Sequence, residues 1–201
     1  MALPARIAVA SRNDHKLREI IRICSGWPVE WVTVSNHDPA VFPEVAETGE
    51  TYLENAMLKA RAVAAALAIP SLADDSGIEV DALGGKPGPR SARFSGDDAT
   101  DEENLDALLG ALRGIPAGGR TARYRCVAVL AFPDGSDIHE EGVCEGTLIS
   151  TPRGSGGFGY DPIFLPAGWD LTMAELTAEQ KDEISHRGRA LRALRERVEA
   201  P

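Results

Sequence analysis

Two aspartates stand side by side in Leu72-Ala-Asp-Asp-Ser-Gly77, with apolar residues on both flanks. Adjacent carboxylates at a strand end, followed by a turn, can ligate a hard cation and orient a water. The same residues also build turns, with Asp and Ser capping and Gly77 supplying a positive φ. Like charges beside a core repel each other, however, and folding alone gives little reason to keep both. A catalytic pair, Asp74 and Asp75, is therefore the expectation. A second segment, Ser11-Arg-Asn-Asp-His-Lys16, lies where a strand gives way to a helix. Backbone N–H groups and the positive end of the helix dipole converge there, which suits an anion, and Lys16 adds a charge. It lacks the glycines and the Lys-Ser/Thr pair of a Walker A loop, and by itself it reads as an ordinary capped helix start.

Two later segments add donors and rings. Gly154-Ser-Gly-Gly-Phe-Gly159 runs on into Tyr160, Asp161 and Pro162. Phe158 and Tyr160 could clamp a flat ring, because glycine lets a ligand approach the backbone; a tight loop with two aromatic plugs fits equally. Lys181 with Ser185-His-Arg187 forms a compact donor set, and Arg187 can meet an oxo group or a phosphate with two parallel N–H groups. In isolation that segment is a solvated helix start. Lys59 reads singly as a surface lysine, and Arg93, in Ser91-Ala-Arg-Phe-Ser-Gly96, as a phosphate clamp or a surface charge. His15, His37 and His139 share no metal-ligand spacing and are expected to face solvent. Together the segments supply what phosphoanhydride hydrolysis needs: cations for a triphosphate, carboxylates for a metal and a water, and a slot for a base.

The elements that must carry these groups are legible from periodicity. Arg6 to Ala10 reads as a short buried strand, and Asn13 as the N-cap of a helix with Leu17, Ile20, Ile21 and Cys24 on its apolar stripe. Val29 to Val34 reads as a strand and Asn36 to Thr48 as a loop. Thr51-Tyr-Leu-Glu54 is a capping box that opens an alanine-rich helix to about Ala68. On that helix Asn55 and Lys59 lie four apart, on a face separate from the core stripe. Strands are predicted at Ser71 to Ala73 and at Ile78 to Leu83, followed by a turn-rich loop to Arg90. Thr100-Asp-Glu-Glu103 is a second capping box. Arg123 to Phe132 and Ile138 to Ser150 flank the turn Pro133-Asp-Gly-Ser136 as a hairpin, and Leu191, Leu194 and Val198 mark a last helix. Alternating strands and helices, then a hairpin, predict an α/β fold with a mixed sheet.

Composition bounds the partners. The chain has 201 residues, enough for one compact domain, 1–201, with two lobes. Its net charge of −10 and 5% aromatic content argue against a basic nucleic-acid face or a stacking platform. No apolar run approaches the roughly 20 residues of a membrane span, and Met1 to Ile7 lacks the apolar core of a secretory signal. Cys24, Cys126 and Cys144 are few and widely spaced, which predicts small buried thiols in a reduced cytoplasmic setting rather than a disulfide framework.

At this point the chain resembles the inosine triphosphate pyrophosphatases, the non-standard purine NTP pyrophosphatases. The likeness runs through Ala10-Ser-x-Asn-x-x-Lys16, Glu47-Thr-Gly49, Glu54-Asn-Ala56 with Lys59, and Leu72-Ala-Asp-Asp-Ser-Gly77. It continues through Pro87-Gly88, Ser91-Ala-Arg-Phe-Ser-Gly96, Gly156-Gly-Phe-Gly-Tyr-Asp-Pro162, and Lys181 before Ser185-His-Arg-Gly188. The resemblance implies two α/β lobes around a long mixed sheet with an active-site cleft between them, and a homodimer. It also implies Mg²⁺-dependent hydrolysis of ITP, dITP and XTP to the monophosphate and pyrophosphate, which cleanses the nucleotide pool.

Carried over by position, the resemblance implies that Ser11, Arg12, Asn13, Asp14, His15 and Lys16 hold the phosphates, Asn13 and Lys16 as the main contacts, with help from Lys59, while Arg93 is a further substrate-binding candidate. Asp75 is the implied general base and magnesium ligand, Asp74 its support, and Glu47 a second metal carboxylate. Ser76 touches substrate. Phe158, Gly159, Tyr160 and Asp161 hold base and sugar, while Lys181, His186 and Arg187 read the purine, Arg187 facing its 6-oxo group. Donors facing that group are left unpaired by adenine, at roughly 1–3 kcal/mol each. Arg12 stands where many members have glycine, and Ala46 where some carry a second acid. A pyrophosphatase with another base preference and a nucleotide sensor without turnover share much of the pattern.

Overall fold

The computed structural model describes residues 3–200; the expectations at Met1, Ala2 and Pro201 lie outside them. Eleven regular elements follow in order: β1 (Arg6–Val9), α1 (Asp14–Ile23), β2 (Glu30–Val32), α2 (Tyr52–Leu67), β3 (Ser71–Val80), α3 (Asp101–Ala111), β4 (Thr121–Ala131), β5 (Asp137–Leu148), β6 (Phe164–Pro166), α4 (Ala178–Ile184) and α5 (His186–Glu199). The six strands form one sheet in the order β2-β1-β3-β4-β5-β6. β1 pairs in parallel with β2 and with β3, whereas β5 and β6 are antiparallel, so the sheet is mixed and the fold is α/β as expected.

Among the described residues the chain divides into two compact units. One takes in the chain up to Asp75, Cys126–Gly142 and the segment from Arg187 onward; the other takes in Ser76–Arg125 and Val143–His186. The core of the first unit shows why the strands alternate as they do. Ile7, Val9, Leu72, Cys126, Ala128 and Leu130 belong to one buried cluster, with Leu17, Ile20 and Cys24 of α1 and Leu191, Leu194 and Val198 of α5. Their neighbours along the strands, Ala8, Ala10, Ala73, Val127, Val129 and Ala131, belong to another, with Ala56, Ala60, Val63 and Ala64 of α2. Successive side chains of a strand point to opposite faces, so one face of the sheet is covered by α1 and α5 and the other by α2. The core of the second unit gathers Ile78, Val80, Tyr124, Cys144, Leu148 and Phe164 with Leu105, Leu108 and Leu112 at α3.

One expectation changes. Leu72 to Gly77 is not a strand end followed by a turn, and Ile78 does not begin a new strand. β3 runs unbroken through all ten residues, and a 3₁₀ turn, Asp81–Leu83, follows it. Gly77 is absent from the glycines with positive φ. Burial of nearly every side chain from Ser71 to Val80 on a two-sided sheet favours continuous extension over the turn that Asp-Ser-Gly would make in water.

The helix that matters most to the site begins as its sequence dictates. Thr51 Oγ1 accepts from the Glu54 N–H at 3.2 Å, and the Glu54 carboxylate accepts from the Glu50 and Thr51 N–H groups at 2.8 and 3.0 Å. Those bonds hold the Glu54 carboxyl below its ordinary range. Replacement of Thr51 by alanine should lower stability by about 1 kcal/mol, a fall of about 2–4 °C in Tm for a chain of this size. Calorimetry checks it; an unchanged Tm would mean that α2 is not held by its cap.

Candidate active site

Because β3 alternates, Asp74 and Asp75 point in opposite directions. Asp74 follows Leu72 toward the α1–α5 face, and Asp75 follows Ala73 toward α2. Each is buried, and each meets its own cations. Asp74 Oδ2 accepts from Arg187 Nη2 at 2.9 Å and from Arg187 Nε at 3.2 Å, and Lys16 Nζ lies 3.5 Å away. The third arm of Arg187, Nη1, is paired with Glu19 of α1. Burial opposes ionisation of Asp74, but Arg187, then Lys16 and Lys59, outweigh it and hold the carboxyl well below the usual carboxylate range. The other oxygen, Asp74 Oδ1, is buried with no hydrogen-bond partner.

On the α2 face the balance is reversed. Burial raises the Asp75 carboxyl above its ordinary value; Lys59 and Lys16 oppose this, and Glu47 and Asp74 reinforce it. Lys59 Nζ donates to Glu47 Oε1 at 2.5 Å and to Asp75 Oδ1 at 3.4 Å. Burial lowers the affinity of Lys59 for its proton, yet Asp75, Glu47 and Asp74 raise it further and keep the ammonium charged. A carboxylate with raised proton affinity, gripped beside fixed cations, is the arrangement expected of a general base.

The helix start before Lys16 is organised but already capped. Asn13 Oδ1 accepts from the His15 and Lys16 N–H groups at 2.9 and 3.0 Å, and Ser11 Oγ accepts from the Asn13 N–H at 3.2 Å. Asp14 and His15 are exposed, and His15 Nδ1 lies 3.2 Å from Arg18. Arg12 donates to the Phe42 carbonyl at 2.8 Å and lies 3.8 Å from Glu44, so it braces the loop after β2. His37 and His139 are exposed as expected.

The second unit holds a separate set. Asp161 Oδ2 accepts from Lys181 Nζ at 2.5 Å and from the Phe158 N–H at 2.9 Å. The same ammonium sits 4.9 Å from the centre of the Phe158 ring, within cation–π range. The Gly159 N–H donates to Asp101 Oδ2 at 2.9 Å. Gly157 has positive φ, and a Cβ there would strike the Asp161 carboxylate, so glycine is required at this turn. His186 stacks on Tyr124, ring centres 4.6 Å apart and planes within 11°. Ser76 and Arg93 are half-buried, Ser76 within β3 and Arg93 at the end of a 3₁₀ segment, Gly88–Arg93.

Several expected roles meet a different environment. Arg187 was expected on a purine oxo group, and its segment alone read as a solvated helix start. Its side chain is instead enclosed, 1% exposed, and held by Asp74 and Glu19; a buried guanidinium stays where carboxylates neutralise it. Tyr160 is buried, and its hydroxyl donates to the Ser91 carbonyl at 2.8 Å, which makes it the plug that composition allowed. Asp161 and Lys181 are both enclosed and spend their charges on each other. Glu19, Asn55, Asp101 and Tyr124 were not among the expected residues. Signals for two of them existed: Glu19 lies three after Lys16 and Asn55 four before Lys59, both same-face spacings on a helix. Nothing in the sequence pointed to Asp101, which read as one acid of a capping box, or to Tyr124 within a strand.

Among the described residues no group of three His, Cys, Asp or Glu side chains is arranged to hold a metal. Magnesium needs fewer, since it keeps waters and takes phosphate oxygens beside one or two carboxylates. Glu47 and Asp75, which already share one cation in Lys59, form an oxygen donor pair that suits such an ion.

A dITP/XTP pyrophosphatase of Geobacter sulfurreducens is 48% identical over 96% of this chain and 96% of its own. Another from Streptomyces coelicolor is 48% identical over 94% of each. The structure of a HAM1 protein from Coxiella burnetii superposes with a TM-score of 0.86, at 37% identity, over 97% of this chain and 98% of its own. That of the Staphylococcus aureus Ham1 protein gives 0.83 at 39%, over 96% and 98%. With the Ham1 family profile matching residues 7–197, nearly the whole length that carries these groups, the chain belongs to the Ham1 family.

Proposed function

We propose that this chain hydrolyses non-standard purine nucleoside triphosphates (dITP, XTP and ITP) to the nucleoside monophosphate and pyrophosphate, with Mg²⁺ as cofactor. The observation that carries the reading is Asp75: a buried carboxylate of raised proton affinity, fixed beside Lys59 and within the field of Lys16. Its near full-length likeness to dITP/XTP pyrophosphatases supports the substrate class. A homodimer and a cytoplasmic location belong to the same proposal; the family resemblance supports the first, and the buried thiols of Cys24, Cys126 and Cys144 support the second.

In this reading Asp75 accepts a proton from the attacking water, whose oxygen bonds to phosphorus as the P–O bond between the α- and β-phosphates breaks and pyrophosphate leaves. Lys16 and Lys59 stabilise charge on the phosphate oxygens, and the 11–16 turn, with Ser11 and Asn13, lies against them. Glu47 and Asp75 would hold Mg²⁺, which when bound lowers the charge of the triphosphate and makes its phosphorus easier to attack. The charge balance supports a divalent ion. Lys16, Lys59 and Arg187 are paired with Glu19, Glu47, Asp74 and Asp75, so these cations are already matched by carboxylates. Arg187 acts through Asp74, which it keeps ionised and oriented. Phe158, Lys181 and His186 are the proposed base contacts, with Asp161 holding the first two in place; Gly159, Ser76 and Arg93 are proposed to touch sugar or phosphate.

The direct test incubates the protein with Mg²⁺ and ITP, XTP, dITP, ATP, GTP or dTTP and measures pyrophosphate and orthophosphate separately. Pyrophosphate from the 6-oxo nucleotides is expected. Orthophosphate as the main product, or a preference for ATP or dTTP, would overturn the reading. Asp75→Asn should lower kcat by a factor of about 10²–10⁴, the usual worth of a general base, while ITP binding stays measurable by calorimetry. Near-normal turnover would remove Asp75 from its role.

Asp74 gives a prediction in pH. Its carboxyl is held below the unfolded value of 3.8. Its contribution is therefore fully present above that value and is lost as pH falls through the lower folded value. Asp74→Asn strips Arg187 of one buried partner and should destabilise the fold by about 3–5 kcal/mol near neutral pH. Melting curves from pH 7 to 3 should show the gap between wild type and variant narrowing only below about pH 4; a gap independent of pH would rule out an ionised Asp74 as its source.

A further inference from the structure

We propose that Asn55 is a positioning residue for the reaction. It fixes the carboxylate of Asp75 by one oxygen and, by the other end of its amide, the loop that carries Glu47. The proposal rests on the reading of Asp75 as base and metal ligand.

Asn55 is completely buried on α2. Its Oδ1 accepts from the Gly49 N–H at 2.8 Å, and its Nδ2 donates to Asp75 Oδ2 at 3.2 Å. The chemistry of the partners fixes the orientation of the amide, since a backbone N–H needs an oxygen and a carboxylate needs an N–H. One turn further along the helix, Lys59 meets Asp75 by its other oxygen, Oδ1, and Glu47 by its carboxylate. Two residues four apart on α2 thus hold both oxygens of Asp75 and both ends of Glu47-Thr48-Gly49. The backbone is shaped for this contact. A Cβ on Gly49 would come within 2.7 Å of Asn55 Oδ1 and 2.6 Å of the Glu54 Cβ, so only glycine admits the approach.

Packing alone does not account for the residue. The buried face of α2 is otherwise built of Tyr52, Ala56, Ala60, Val63 and Ala64, and an enclosed amide is unfavourable there unless both its ends are bonded. What the amide adds is direction. A carboxylate gripped at one oxygen can turn about its last torsion, whereas one gripped at both presents a fixed lone pair to water and metal. Partners of this kind behind a metal ligand are commonly worth 10–100-fold in activity or metal affinity.

Asn55→Ala and Asn55→Ser remove the reach to both partners, and Gly49→Ala displaces the amide without removing it. Measured with ITP at saturating Mg²⁺, each should lose roughly 10–100-fold in kcat, with the KM for ITP within about threefold of wild type, because the phosphate contacts remain. Mn²⁺ binding without nucleotide, followed by water-proton relaxation, should weaken by a similar factor in the folded variants, with melting curves showing them folded at the assay temperature. If Asn55→Ala does not fold, Asn55→Ser decides. The proposal is overturned if a folded variant keeps kcat and Mn²⁺ affinity within about twofold, or if activity falls only in proportion to the unfolded fraction. A wild type that makes no pyrophosphate from any 6-oxo nucleotide overturns the proposed function instead; the Mn²⁺ comparison then still decides the role of Asn55.

Discussion

Everything at the candidate site depends on the two-residue period of one strand. Two carboxylates adjacent in sequence would repel each other if they shared a surface, and one of them would take up a proton. β3 separates them by sending Asp74 to the α1–α5 face and Asp75 to the α2 face. Each face then supplies a different electrostatic answer. Around Asp74 a guanidinium and an ammonium overcome burial and keep the carboxyl ionised. Around Asp75 burial prevails, and the carboxyl is left readier to take a proton. The opposite electrostatics of two identical side chains follow from the fold rather than from the dipeptide.

The same constraint makes the helices specific. α1 must carry Lys16 and Glu19 on its inner face as well as an apolar stripe, because Lys16 meets Asp74 and Glu19 meets the arginine that Asp74 requires. α2 is packed through alanines, which let Asn55 and Lys59 come close enough to grip Asp75. A bulkier stripe on α2 would hold the helix further from the strand and leave the amide and ammonium short of their partners. The second unit repeats the device on a smaller scale. Asp161, buried, fixes both a lysine and a backbone N–H, so that Lys181 and the Phe158 ring are presented as one unit.

The sequence made the elements legible because their signals are local. The capping boxes at Thr51 and Thr100, the α1 stripe and the hairpin turn after Phe132 were all readable, and the helix caps formed as read. The interruption expected at Asp74–Gly77 was not there. Local turn preference is worth little against burial on both sides of a sheet, and a single chain does not display which strands are central. The chemistry-bearing residues were readable by type but not by partner. Arg187 and Glu19 are 168 positions apart, and nothing local says that a guanidinium before a helix will be enclosed instead of facing a base. Tyr160 was balanced between plug and clamp on composition, and only its bond to Ser91 separates the two. Asn55 was visible as the i, i+4 neighbour of Lys59, yet its importance needed Gly49 and Asp75 to be seen on either side of it.

The enclosed ion network also bears on why so acidic a chain suits an anionic substrate. A net charge of −10 does not favour long-range attraction of a triphosphate, so binding rests on local groups. The local cations are each already paired: Arg187 with two carboxylates, Lys59 with two, and Lys16 with Asp74. With Mg²⁺ as the proposed cofactor, such a site would give little to a free triphosphate and more to one bound to a divalent cation. Glu47 and Asp75 would hold that ion, and Lys59 beside them would supply positive charge to the phosphates. Neutralising the cations in advance has a second consequence. The ammonium and guanidinium groups are held in place before any ligand binds, so little ordering is left for the binding step. Their positions, rather than their net charge, are what the fold contributes.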